Sequence, residues 1–242
     1  MKISVAQTNS VKGDIDANIK KHLDLIKLAV SYRSDAIFFS ELSLTGYEPE
    51  LAEVLASSKE DARLDVFQEM SNSHALTIGL GLPTKSSTGV RISMIIFQPN
   101  QPRLLYSKQH VHSDELPFFE NGSGQVILNI GDKKVAPAIC YESLLSDHFD
   151  AACSVGADIY LASVAKNQNG LNKGLIHYSA MAKKNSVPIL MANCVGYCDN
   201  FLSVGATAVW SKKGALIEKL DDKSEGILVF DTETEQVVCH QR

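Results

Sequence analysis

The chain has 242 residues, 45% of them hydrophobic and 21% charged, with a formal net charge of −5. A chain of this length buries roughly three quarters of its unfolded surface unaided, which excludes a disulfide miniprotein, a disordered tail and a fibre. The mildly acidic balance lacks the basic footprint of a nucleic-acid binder.

No apolar run approaches the ~18 residues of a membrane span, so no membrane partner is expected. The opening stretch 1–7 alternates like a strand and does not read as a signal peptide. Five cysteines, at 140, 153, 194, 198 and 239, form an odd set without framework spacing. Reduced thiols and a cytoplasmic setting follow. No linker, charge block or low-complexity stretch interrupts the chain, and a single domain over 1–242 is expected.

Ile3 to Gln7 reads as a strand, after which Ile15, Ile19, Leu23, Ile26 and Val30 recur at helical spacing. Ala36 to Ser40 is the short apolar run of a buried strand. It stops at Glu41, before a loop with Gly46 and Pro49. Val54 to Ser73 is expected to be helical. Leu76 to Gly81 and Ile92 to Gln98 read as strands separated by a Ser-Ser-Thr-Gly turn at 86–89, and Arg103 to Ser107 as a strand ending just before Lys108. A polar loop with Gly122 and Gly124 follows. Gln125 to Ile130 and Lys134 to Ile139 are expected to pair across Gly131-Asp132, with Cys140 where the second strand ends. Leu144 to Val155 and Gly174 to Asn185 read as helices. Asp158 to Ala162, Val187 to Asn193, Ser203 to Trp210 and Gly226 to Phe230 read as strands. The alternation defines an α/β class, with helices packed outside sheets.

Glu41, Lys108 and Cys140 each stand at the end of an apolar strand, where α/β sheets bind ligands. Desolvation there shifts pKa values, as acid–base work requires. A free thiol is mostly protonated at neutral pH. It becomes a nucleophile when a carboxylate takes its proton or a cation stabilises the thiolate, and Glu41 and Lys108 offer these two functions. The Lys108 ammonium and a backbone N–H just after Cys140 are also suited to an oxyanion. Singly, each residue has a plainer reading: the Cys as a small buried hydrophobe, the Glu and Lys as solvated loop residues. Their local sequences decide the matter.

Phe38-Phe39-Ser40-Glu41-Leu42-Ser43-Leu44-Thr45-Gly46-Tyr47 resembles the first signature of the nitrilase, or carbon–nitrogen hydrolase, superfamily, whose Glu is the general base. Tyr106-Ser107-Lys108-Gln109-His110-Val111 resembles the second, with its catalytic Lys. Ala138-Ile139-Cys140-Tyr141-Glu142 resembles the third, with its Cys nucleophile. Asp114-Glu115, followed by Phe118-Phe119 and Gly122, resembles the segment carrying a second, positioning Glu, which falls on Glu115. Met191-Ala192-Asn193 and Ser203-Val204-Gly205-Ala206-Thr207 resemble the closing strands. The resemblance implies a four-layer α-β-β-α sandwich and hydrolysis of a non-peptide C–N bond in a small amide, ω-amide or N-carbamoyl compound. Cys140 would attack, Glu41 would move protons, and Lys108 with the Tyr141 N–H would hold the oxyanion. It implies no metal or organic cofactor, and a homodimer or larger assembly. Leu144, Leu145 and the C-terminal Val237-Val238 are candidate apolar positions for that contact.

The departures fall on the substrate side. Ser143-Leu144-Leu145 replaces a Phe-Pro-Glu-type segment, Met181-Ala182-Lys183-Lys184-Asn185 replaces an Arg-Ala-x-Glu-Asn ending, and Ser163-Val164-Ala165-Lys166-Asn167 lacks an aromatic. Tyr47 and Lys166 are candidate substrate contacts. Cys140-Tyr141-Glu142 also resembles the membrane-embedded acyltransferase branch, which the lack of a membrane helix argues against. Alternatives are a catalytically silent binding scaffold, a nitrile-hydrolysing member, and a Cys–His hydrolase using His110, His112 or His148. His110-x-His112 is a weak metal signal, because structural sites use four ligands. Cys194-x-x-x-Cys198 reads as packing, and Trp210 as a core or interface strand residue.

Overall fold

Alternate residues of the apolar runs enter different cores. Ala36 and Phe38 pack in one cluster and Ile37 and Phe39 in another. Ile159 and Leu161 join the first cluster, while Tyr160 and Ala162 enter a third. A strand wetted on neither face has this pattern, since successive side chains point to opposite sides.

The computed structural model describes residues 1–242. Its first half comprises β1 (Lys2–Gln7), α1 (Ile15–Ser31), β2 (Ala36–Phe38), α2 (Ala52–Leu55), α3 (Asp65–His74), β3 (Thr77–Lys85), β4 (Val90–Phe97) and β5 (Leu104–Ser107). Then follow β6 (Leu128–Ile130), β7 (Lys133–Ile139), α4 (Ser146–Ser154), β8 (Ile159–Ser163), α5 (Gln168–Asn185), β9 (Ile189–Ala192), β10 (Val195–Cys198) and β11 (Phe201–Val204). β12 (Ala208–Trp210), β13 (Leu216–Lys219), β14 (Gly226–Asp231) and β15 (Val237–Gln241) close the chain.

One sheet has the order β15-β14-β1-β2-β3-β4-β5 and the other β13-β12-β9-β8-β7-β6, with β10-β11 as a separate ribbon. The cluster containing Ile3, Phe38 and Met94 together with Val135, Ile159 and Leu190 lies between the two sheets. Leu25, Ile26 and Ala29 of α1 and Phe67 of α3 pack on the outer face of the first sheet. Phe149 of α4 and Leu171, Tyr178 and Met181 of α5 pack on the outer face of the second. The result is the four-layer α-β-β-α sandwich.

β1, β2 and β3 are mutually parallel, and β5 returns to their direction after two antiparallel steps. β7, β8 and β9 are parallel in the other sheet. Both sheets therefore present several carboxyl ends. Ser163 Oγ at the end of β8 donates to the Phe39 carbonyl just beyond β2 at 2.8 Å, joining the two sheets there.

Several expectations need correction. The stretch 54–73 is not one helix: α2 ends at Leu55, and a polar segment follows in which the Ser57 N–H donates to the Pro83 carbonyl. Asp61 then caps a 3-10 turn at Ala62–Leu64 before α3 begins. Ser203 to Trp210 is not one strand. Gly205 and Ala206 both take left-handed conformations, with φ 57°, which sends β11 to pair with β10 and β12 with β9. β6 begins only at Leu128, and β10, β13 and β15 were not foreseen. Val237 and Val238 belong to β15, paired with β14. No helix is long and apolar enough to cross a membrane.

Candidate active site

Glu41 lies three residues beyond β2, Lys108 directly after β5, and Cys140 directly after β7. The carboxyl ends of two facing sheets thus bring them together. Lys108 is fully buried, and its Nζ donates to Glu41 Oε1 at 2.7 Å and to Glu115 at 2.7 and 2.8 Å. One ammonium bridges two buried carboxylates. Burial alone would lower the lysine's pKa, but Glu41, Cys140 and Glu115 around it outweigh that effect and hold it above its ordinary value.

The two carboxylates are not equivalent. Glu115 is saturated: besides Lys108 it accepts from the Tyr47 hydroxyl at 2.8 Å and from the His112 N–H at 2.7 Å. Glu41 uses one oxygen on Lys108, while its Oε2 is buried without a hydrogen-bond partner. Such an orphan is costly in a resting fold. Burial pushes the Glu41 pKa up to about 7, with Glu115 adding to the rise and Lys108 and the Cys140 thiol opposing it.

Cys140 is the first residue of a 3-10 turn (Cys140–Leu144) and takes a left-handed conformation, φ 48°. For a residue with a Cβ this conformation is uncommon and strained. It bends the chain sharply off β7 and leaves the thiol half-buried at the wall of a cavity of about 420 Å³. Burial, and then Glu41, push the thiol pKa up to about 12, while Lys166 and Lys108 pull it down. The resting group is a thiol, and it contacts the Ala165 carbonyl at 3.9 Å. No histidine lies within hydrogen-bond reach of it. The amide of Tyr141, second in the 3-10 turn, has no acceptor within that turn.

A second layer of residues braces these groups. Glu142, fully buried, accepts from the amides of Ile139 (2.7 Å), Gln109 (2.5 Å) and His110 (3.2 Å) and from the Tyr106 hydroxyl (2.5 Å). It therefore ties the nucleophile's turn to the chain just after Lys108. His148 belongs to this buried network through Tyr106, Gln109 and Tyr160. Gly122 closes the other side: its N–H donates to the Lys108 carbonyl at 2.7 Å, and a Cβ there would stand 2.4 Å from the Ser107 carbonyl oxygen. His22 of α1 bonds Ser43 beside the Glu41 loop at 2.9 Å, and burial lowers its pKa to about 4, so it is a neutral strut.

Of the residues singled out in the sequence, Glu41, Lys108, Glu115 and Cys140 converge, and Tyr47, Tyr141 and Lys166 line the same cavity. Tyr47 spends its hydroxyl on Glu115. His110 and His112 part company: the first is exposed, with its ring 6.4 Å from that of His148, and the second bonds Asp114. No group of three or more His, Cys, Asp or Glu side chains is arranged to hold a metal. Cys194 and Cys198 are buried free thiols 3.6 Å apart. Trp210 is core, edge-on to Tyr178 with ring centroids 5.2 Å apart. Glu142, His22 and Asn193 were not foreseen as supports. Glu142 and Asn193 each interrupt an apolar stretch, whereas His22 follows two lysines and carries no such signal.

The profile of the carbon–nitrogen hydrolase family matches residues 2–238, and the chain belongs to that family. It is 24% identical to the glutamine-dependent NAD(+) synthetase of Thermotoga maritima, covering 98% of this chain and 42% of the synthetase. The chain thus spans less than half the length of that relative. It is 23% identical to the "Probable nitrilase" of Schizosaccharomyces pombe over 81% of this chain and 75% of the other. Among solved structures, the amidase of Nesterenkonia sp. AN1 superposes with a TM-score of 0.87 at 21% identity, covering 96% of this chain and 92% of that one. A variant of that amidase has been solved in complex with butyramide.

Proposed function

We propose that the chain hydrolyses the C–N bond of a small amide through a Cys140 thioester. The observation that carries this reading is the inequality of the two carboxylates on Lys108. Glu115 is saturated, while Glu41 keeps one buried, unpartnered oxygen next to the thiol.

Cys140 Sγ attacks the amide carbon as its proton passes to Glu41. Lys108 and the Tyr141 N–H face the oxyanion that forms. On collapse the C–N bond breaks and Glu41 returns the proton to the departing nitrogen, releasing ammonia or an amine. Water then attacks the thioester carbon, giving a proton to Glu41. The C–S bond breaks, the thiol regains its proton and the carboxylic acid leaves. A base with a pKa of about 7 is matched to both transfers at neutral pH.

The test is ammonia release from a panel of small amides and carbamoyl compounds by the wild type and by Cys140→Ser. Turnover by the wild type alone is expected. Equal turnover by Cys140→Ser overturns the nucleophile, and a wild type inert on the whole panel favours the silent scaffold.

A further inference from the structure

Lys166 is the one buried lysine in the cavity with no carboxylate in hydrogen-bond contact. It is 4% exposed, lines the cavity that contains Cys140, and takes part in no ion pair. Its stem is built in. It packs against Gly170 and Gly174, one helical turn apart on α5: a Cβ at Gly170 would stand 3.6 Å from the Lys166 Cβ and Cγ, and one at Gly174 3.7 Å from its Cε, both ordinary contact distances. Its backbone is pinned by Asn193, whose Oδ1 accepts from the Lys166 N–H at 2.9 Å. Burial pulls its pKa down, but Tyr178, Cys140 and Glu41 outweigh burial, so the ammonium keeps its proton.

A buried charge without a counter-charge is expensive, and folds rarely tolerate one unless something supplies the missing partner. The carboxylates of the cavity are already committed. Glu41 and Glu115 are shared by Lys108, and Asp114, exposed at the mouth, bonds His112. The surroundings favour an anion further. The first turn of the 18-residue α5 lines the same cavity through Asn167, Asn169 and Gly170. Asn167 takes the Gly170 N–H with its side chain, while the amides of Gln168 and Asn169 precede any intrahelical acceptor at the positive end of the helix. Lys173, an exposed second cation, stands one turn further along the lining.

We infer that Lys166 and the amino end of α5 form a carboxylate subsite, which makes the enzyme select amides whose acyl chain ends in a carboxylate over neutral amides of the same length. This rests on the amidase reading above, and it sets the far end of the substrate. The amide carbon lies at Cys140 and the distal carboxylate takes the place of the missing counter-ion at Lys166.

The experiment has two readouts. The first is kcat/KM for succinamate and for butyramide, which differ by a carboxylate in place of a methyl group. The second is the alkylation rate of Cys140, followed on its own peptide by mass spectrometry, with iodoacetate (anionic) and iodoacetamide (neutral). The wild type should prefer succinamate, and its iodoacetate-to-iodoacetamide rate ratio should exceed that of glutathione run in parallel. Lys166→Met should lower both ratios by about 10- to 100-fold, the worth of one hydrogen bond to a charged group. If Lys166 only stabilises the thiolate, the variant slows both reagents equally, the ratios stay fixed and the subsite is refuted. If the wild type hydrolyses neither amide, the amidase reading fails while the alkylation ratio still decides the subsite. A wild-type ratio no higher than that of glutathione overturns the inference without recourse to any variant.

Discussion

Replacing Lys108 with Met keeps the side-chain length and removes the charge between two buried carboxylates. Breaking a buried ion pair by deleting one partner costs about 3–5 kcal/mol, because the remaining charge is left uncompensated. For a chain of 242 residues, this corresponds to a fall in Tm of roughly 6–20 °C. The pH dependence is more diagnostic. Glu41 titrates near 7 in the folded protein against an ordinary 4.5, so the folded state binds its proton more tightly than the unfolded state does. Stability therefore falls as pH rises through that interval and levels off above 7 in the wild type. Without Lys108, which pulls Glu41 down, the folded pKa moves higher and stability goes on falling above pH 7. The penalty relative to the wild type should grow by about 1.4 kcal/mol per pH unit from 7 upward. Thermal or urea unfolding of both proteins at pH 6, 7, 8 and 9 measures it. A penalty that is flat or shrinking across pH 7–9, or a Tm change under about 3 °C, would refute the buried bridge.

Four further outcomes are expected. The kcat/KM profile on any accepted amide should have its acid limb near pH 7, set by Glu41, and no alkaline fall below about pH 10, since the thiol titrates near 12. In Glu115→Gln the charge that helps hold Glu41 up is gone, so the limb should move to lower pH; an unmoved or raised limb assigns the base wrongly. Glu142→Gln puts an NH2 group where several donors converge, at a cost of about 2–4 kcal/mol, and should lower kcat through the displaced Lys108 and Cys140. Unchanged melting and unchanged rate would remove Glu142 from the brace. Light scattering should find a homodimer or larger; a ~26 kDa species at micromolar concentration, the mass of one 26.4 kDa chain, counts against it.

The sequence by itself determined the α/β alternation and the strand ends that carry Glu41, Lys108 and Cys140. Both signals are local: a period of two or 3.6 residues, and a polar group that stops an apolar run. The resemblance of their flanking motifs added Glu115 and the four layers. Local signals failed where backbone geometry interrupts a pattern that otherwise continues. The residues of Ser203 to Trp210 suit a strand throughout, but left-handed turns at Gly205 and Ala206 send its halves to different partners. Val54 to Ser73 fails for a related reason, since the polar stretch after Leu55 finds its hydrogen bonds on β3.

The resemblance implied a base at Glu41, but only the tertiary structure shows which carboxylate keeps an unpartnered oxygen. That depends on Tyr47 and the His112 amide reaching Glu115 while nothing reaches Glu41 Oε2. The isolation of Lys166 is likewise invisible in sequence, where several acids are available as partners. The fold commits Glu41 and Glu115 to Lys108 and Asp114 to His112, and it encloses Lys166 before any of them can reach it. The physical reason is the same in both cases. The strengths of buried charges are set by desolvation and by partners brought from distant parts of the chain, and neither is a property of local sequence.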